Sequence, residues 1–364
     1  MLRLVFMEAA TVSLESNRGH PVLRVAGAPT RRALACGWPA DADWQTVLAR
    51  AIRDPIELCR RLGLPAELAA EAARSTAGFG VLVPQPFLAR IRPGNPDDPL
   101  LAQVLPRSAE MAPAPQFVPD PLHEAGTVRT PGLLGKYKGR FLIVASGVCA
   151  VHCRFCFRRH FPYVQALSRQ AWPGVLQQIA AEPSIEEVIL SGGDPLTAHD
   201  RRLAEIARQL AEIPHLRRLR VHTRLPIVIP QRVNDDLLAW LRGTRLTTFL
   251  VVHCNHPAEI DADVAAAFGR LVDAGVPVLN QAVLMRGIND DLDVLADLFG
   301  RLVDLRVMPY YLHQIDRVAG AAHFEVPEER GRELIRQLRA RLPGYAVPRY
   351  VRDMPGATHK EVLE

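Results

Sequence analysis

The sequence is short of the features that assign a chain quickly. Six cysteines in 364 residues are too sparse for a disulfide scaffold. No apolar run reaches the roughly 18 residues that a membrane-spanning helix needs. No block of about five like charges occurs, so a basic arm for nucleic acid is excluded. The net charge of +5, from 44 Lys+Arg against 39 Asp+Glu, is mild and diffuse, and no direct nucleic-acid contact is expected from it. The opening MLRLVFMEAATVSLE is too brief in its apolar part for a secretory signal and carries Glu8 and Glu15. A cytoplasmic, reducing setting is therefore expected, in which clustered cysteines serve as metal ligands or catalytic thiols. With 48% hydrophobic and 23% charged residues, the chain is neither collagen-like, disordered nor a small secreted domain.

What is present begins with length. At roughly 150 residues per domain the chain suggests about two domains, or one large barrel with a smaller appendage. Residues 41–80 have helical character, with Asp54 and Pro55 at a helix start and Gly63 past its end. Eight prolines fall between Pro93 and Pro121, which marks a linker or an irregular wrapping segment. From about residue 130 short apolar runs alternate with helical stretches. The runs are 141–146, 187–190, 218–222, 248–253, 276–284 and 307–313; the helical stretches are 169–182, 199–212, 233–242, 258–274, 290–304 and 326–341. Six such units imply an α/β fold with a parallel sheet or barrel.

The sharpest local signal is GVCAVHCRFCFRRH. Cys149, Cys153 and Cys156, spaced C-x3-C-x2-C, follow the first apolar run directly. That is the loop at a strand's C-terminal end, where βα barrels keep their active sites. Three thiolates suit three irons of a 4Fe–4S cluster and leave one iron open. Two alternatives stand beside this: one buried face of a helix, given the i, i+4, i+7 spacing, or zinc with His152 or His160. Cys36, Cys59 and Cys254 are scattered and suit buried small-hydrophobe roles. Gly192, Gly193 and Asp194 in SGGDPL form a turn and cap after the second strand. His222 and Arg224, with His253, Asn255 and His256, sit at further strand ends as pocket or capping residues.

The cysteine triplet in its setting resembles the radical SAM superfamily, which implies a partial (βα)6 barrel. There the open iron binds S-adenosylmethionine, and reduction yields a 5′-deoxyadenosyl radical. SGGDPL resembles the segment that contacts the amino group of that cofactor, so Gly192, Gly193, Asp194, His222 and Arg224 are assigned to its region. PGLLGKYKGRFLIVASGVCAVHCRFCFRRHFPY, RVHTRLPIVIP, LNQAVLMRGIND and PYYLHQIDRVAGAAHF extend the resemblance, over about residues 90 to 360, to lysine 2,3-aminomutases. The subgroup most similar makes β-lysine for modification of elongation factor P.

This resemblance implies an isomerase acting on L-lysine with a second cofactor, pyridoxal 5′-phosphate (PLP). YVRDMPGATHK makes Lys360 the candidate Schiff-base residue; by position alone it would be a frayed tail lysine. Lys136 and Arg140 match residues that hold the PLP phosphate. Arg158 matches an arginine that grips the substrate carboxylate, for which a guanidinium fork is suited. Asp316 and Asp353 match aspartates around the far ammonium. In isolation Arg158 would be a surface ion pair and the aspartates turn residues. An electron donor of flavodoxin or ferredoxin type, and a lysyl ligase acting on elongation factor P, are the implied partners. The expected organisation is a helical, proline-rich region (1–125), a core barrel (126–345) and a C-terminal lid carrying Lys360 (346–364). A metabolic lysine 2,3-aminomutase and a non-catalytic metal or nucleic-acid binding module are the rival readings.

Overall fold

β-Branched residues crowd the short apolar runs, and in the computed structural model those runs are strands. It describes residues 43 to 364 apart from 77, 164 and 165; Cys36 and the rest of residues 1–42 lie outside the described part. The strands are β1 (Val128–Thr130), β2 (Leu133–Leu134), β3 (Arg140–Ser146), β4 (Glu187–Gly192), β5 (Arg218–Thr223), β6 (Thr247–His253), β7 (Val278–Val283), β8 (Met308–His313), β9 (Arg349–Arg352) and β10 (Glu361–Val362). They lie side by side in chain order as one sheet. From β3 to β9 every neighbouring pair is parallel. Antiparallel pairs add β1 and β2 at one edge and β10 at the other. Those edges do not pair with each other, so the sheet is a partial barrel, open along one side.

The helices of the parallel part are α6 (Trp172–Ala180), α7 (Asp200–Ala211), α8 (Leu225–Val228), α9 (Asp235–Arg242), α10 (Ala262–Asp273), α11 (Leu292–Asp304) and α12 (Glu328–Arg341), after five short ones numbered α1 to α5 below. Their starts are written locally. Asn234, Asp261 and Asp291 each accept backbone N–H bonds at the heads of α9, α10 and α11. α7 buries Leu203, Ile206, Ala207 and Leu210, the spacing of one helical face. Strand alternation does the complementary work. On β5, Leu219 and Val221 are fully buried, while Arg220 and His222 point to the other face.

The N-terminal part carries α1 (Trp44–Ala49), α2 (Pro55–Arg61), α3 (Ala66–Arg74), α4 (Gln85–Leu88) and α5 (Pro99–Ala102). Asp54 caps α2 with Pro55 in its first turn, and Gly63 takes φ +63° just beyond. The proline-rich segment wraps the barrel: Asp98 caps α5, and Leu100, Leu101, Val104 and Leu105 are at most 1% exposed. Burying each such side chain contributes roughly 1.5–3 kcal/mol. One apolar cluster then runs from Trp44 to Leu363. Among the described residues no helix is long and apolar enough to cross a membrane.

Candidate active site

The loop leaving β3 carries Cys149, Cys153 and Cys156, all with free thiols and all half-buried. The loop is a series of turns, with Cys156 N–H donating to Cys153 O at 3.0 Å, so the helical-face alternative is wrong. The zinc alternative loses its histidines. His152 Nδ1 faces Gly80 O at 2.9 Å and His160 Nε2 faces Ala319 O at 3.1 Å. Among the described residues no three His, Cys, Asp or Glu side chains could hold a single metal ion. Burial, and then the neighbouring thiols, push Cys156 up to about 12 and Cys149 well above the ordinary thiol value.

Residues 79–110 strap this loop in place. His152 N–H donates to Leu82 O and Arg154 N–H to Gln103 O, at 3.1 and 2.9 Å. The Arg154 guanidinium, wholly buried, forks onto Glu110 at 2.8 and 2.5 Å. Arg159 reaches the same carboxylate at 2.7 Å. The Phe79 ring lies 4.8 Å and 4.9 Å from the two guanidinium centres.

The β4 loop closes over the cysteine loop. A Cβ on Gly192 would lie 2.4 Å from Ser146 O, and one on Gly193 would lie 2.4 Å from Val148 O; glycine is required at both. Asp194 braces the next strand end, accepting from Leu196 N–H (3.0 Å), Thr223 Oγ1 (2.8 Å) and Arg224 N–H (2.7 Å). Burial raises its pKa to about 6 against those donors. Arg224, in turn, puts Nη1 2.8 Å from Cys153 Sγ.

A second constellation centres on Asp353. Lys360 and Lys136 both donate to Asp353, and Tyr137 Oη donates to it at 2.5 Å. Burial opposes charge on Asp353, but these partners outweigh it and hold its pKa below the carboxylate range. Arg140 lies over the Tyr137 ring at 5.3 Å. Asp316 is pushed up to about 7 by burial and then by Asp353, against Lys360 and Lys136. His222 and His313 are kept neutral by burial, with Lys360 adding to the effect. His222 Nε2 is buried without a partner.

Arg158 links the two groups. It is 6% exposed, feels the charges of Glu124 and Cys156, and adds to the field on His222. Its guanidinium binds Glu124 and reaches Ser191 Oγ at 3.1 Å. It is a buried ion pair, not a surface one. The loosely assigned strand-end residues divide. His253 and Asn255 meet at 3.1 Å, whereas His256 Nδ1 accepts from Ala258 N–H as a cap.

Lys360, fraying by position, has a side chain only 23% exposed, because β10 pairs with β9 and seats Leu363 in the core. The described residues thus place three thiols on one loop, a buried guanidinium two residues beyond them, and an amine–carboxylate pair whose charges act on Asp316, His222 and His313. The motifs did not single out Glu124, Tyr137, His313, Gln103 or Glu259. Glu259 alone had a signal, the capping-box spacing from His256.

Residues 143–299 match the Radical SAM superfamily. The L-lysine 2,3-aminomutase of Escherichia coli (strain K12) is 45% identical over 328 residues, covering 90% of this chain and 96% of that protein. The L-lysine 2,3-aminomutase of Haemophilus influenzae is 44% identical over 321 residues, 88% of this chain and 95% of its own. The protein of that name from Clostridium subterminale is 35% identical over 320 residues, covering 87% of this chain and 77% of its own.

Proposed function

Because the chain belongs to the lysine 2,3-aminomutase family of radical SAM isomerases, we propose that it converts L-α-lysine to (R)-β-lysine for the modification of elongation factor P. The observation that supports the reading is that Lys360 bonds to Asp353, that Asp316 feels the charges of both, and that Arg158, two residues past Cys156, acts together with Lys360 on His222. An amine, an ammonium site and a carboxylate fork are what a PLP-bound lysine needs.

The residues present fit the groups this chemistry uses. Cys149, Cys153 and Cys156 are free thiols beside two cradle glycines and suit a 4Fe–4S cluster with one open iron. The unpartnered, buried His222 Nε2 and the Lys360 amine are polar groups that a polar cofactor would satisfy. When bound, the cluster, S-adenosylmethionine and PLP supply hydrogen abstraction at a substrate carbon and an electron sink at its nitrogen. Lys360 would hold PLP by its amine, and Lys136 and Arg140 would receive its phosphate. Arg158 orients the substrate carboxylate. Asp316 and Asp353 take the far ammonium and discriminate against apolar or acidic chain ends. The packed strap and paired C-terminal strands exclude water and competing hydrogen donors.

The destination of the product rests on the motifs that resemble the elongation factor P subgroup. The setting is the cytoplasm, with an electron donor of flavodoxin or ferredoxin type. The test is an anaerobic assay with lysine, S-adenosylmethionine, PLP and reductant, followed by chiral analysis, then addition of a lysyl ligase and elongation factor P. Absence of β-lysine from fully loaded protein overturns the reaction. β-Lysine that the ligase does not transfer overturns the destination.

A further inference from the structure

Arg224 is held through its two terminal nitrogens, while its buried Nε has no hydrogen-bond partner. Its Nη2 donates to Glu259 Oε2 at 2.9 Å and to Gln103 Oε1 at 2.5 Å. Phe87 and Phe155 rings lie 5.5 Å from the guanidinium centre. The clamp is itself fixed. Glu259 Oε1 accepts from Asn255 N–H (2.9 Å), His256 N–H (3.1 Å) and Gln103 Nε2 (3.1 Å), and Gln103 Oε1 accepts from Asn255 Nδ2 at 3.0 Å. Gln103, Asn255 and Glu259 are fully buried, and Arg224 is 6% exposed. The remaining terminal nitrogen, Nη1, points at Cys153 Sγ. A buried charge held so firmly against one sulfur does more than fill space. Burial disfavours the guanidinium charge, yet Cys153 and Glu259 outweigh it.

We infer that Arg224, held by Glu259 and Gln103, is a positioning residue that sets the reduction potential of the cluster through the sulfur of Cys153. This rests on Cys153 being a cluster ligand. Reduction adds one negative charge to the cluster and its thiolates. A guanidinium donating to a ligand sulfur in a low-dielectric interior stabilises that added charge and raises the potential. Glu259 opposes it, being close and negative, while keeping the fork aligned. The two residues therefore act with opposite sign on one redox couple. Loosening of the packing would move both variants the same way.

The experiment is a potentiometric titration, read by electron paramagnetic resonance, of the full chain with its cluster reconstituted anaerobically and without S-adenosylmethionine. At a fixed poise Arg224→Gln should lower the ratio of reduced to oxidised cluster about tenfold, equal to about 59 mV for one electron. Glu259→Gln, which keeps one of the two acceptor oxygens and loses the charge, should raise it. Arg224→Lys should restore part of the arginine effect. Iron and sulfide are counted in each sample. An unchanged ratio in both variants, or shifts of the same sign, overturns the inference while leaving the cluster assignment standing. A parent protein that assembles no cluster overturns the assignment itself. Should the arginine variant not fold, the sign of the Glu259→Gln shift decides alone.

Discussion

Arg158 and Glu124 are joined by two parallel N–H···O bonds of 2.7 Å, with both groups buried. The fork that would receive the substrate carboxylate therefore already holds one belonging to the chain. On the proposed role of Arg158, incoming substrate would compete with Glu124 or share Arg158 with it. Glu124→Gln should lower KM for lysine, and it should destabilise the cofactor-free protein by roughly 3–5 kcal/mol because a buried charge loses its partner. Steady-state kinetics and denaturant unfolding check the two effects. Arg158→Lys loses the bidentate geometry and should raise KM by about tenfold or more.

Lys360→Ala should abolish the visible absorption of bound PLP and the mass adduct that borohydride reduction leaves on the parent chain. Iron content should stay unchanged, because Lys360 bonds to Asp353 and not to the cysteine loop. A variant that keeps a stable PLP adduct would place the cofactor lysine elsewhere.

Cys149→Ala, Cys153→Ala and Cys156→Ala should each lose most bound iron, measured after anaerobic reconstitution. Cys59→Ala should not, since Cys59 is buried in α2, packed in the apolar core.

Asp316 titrates near 7 in the folded chain against about 3.9 when unfolded. Between those values the folded state holds a proton that the unfolded state lacks, so stability falls as pH rises through this window. Asp316→Asn removes that slope. At pH 8 the cofactor-free variant should melt above the parent, and near pH 4 the two should converge. On the proposed role of Asp316 substrate binding should run the other way, because the far ammonium would need its ionised form: the parent's affinity for lysine should rise through pH 7.

Glu110→Ala would strand two buried guanidinium groups, those of Arg154 and Arg159. A loss of roughly 3–5 kcal/mol is expected in denaturant unfolding, with slower cluster uptake because the cysteine loop loses its anchor.

The parallel strands β3 to β8 and their longer helices were legible because each is long enough to show its own periodicity, whereas β9, parallel to β8 but only four residues long, and the four-residue α8 were not. β1, β2 and β10, of two or three residues, carry no period, and their pairing depends on neighbours. The cysteine triplet was legible from spacing, and Lys360 only from a resemblance. The partners of the site were not. Gln103 meets Arg224 across 121 positions of chain, Glu124 meets Arg158 across 34, and Tyr137 meets Asp353 across 216. Such contacts arise from the closure of the fold and leave no local mark. The strand-end residues show the same limit: His253 joined the buried network and His256 became a cap, although both stand in one short motif.

The strap over the cysteine loop also decides what can be exchanged between relatives. Phe79, Gln103 and Glu110 meet His152, Arg154, Arg159 and Arg224 through charge, stacking and backbone bonds at once. A barrel transplanted beneath a foreign strap would inherit guanidinium groups with no carboxylate to receive them. The two stretches are one interchangeable part, and a chimaera of this enzyme has to be cut outside both.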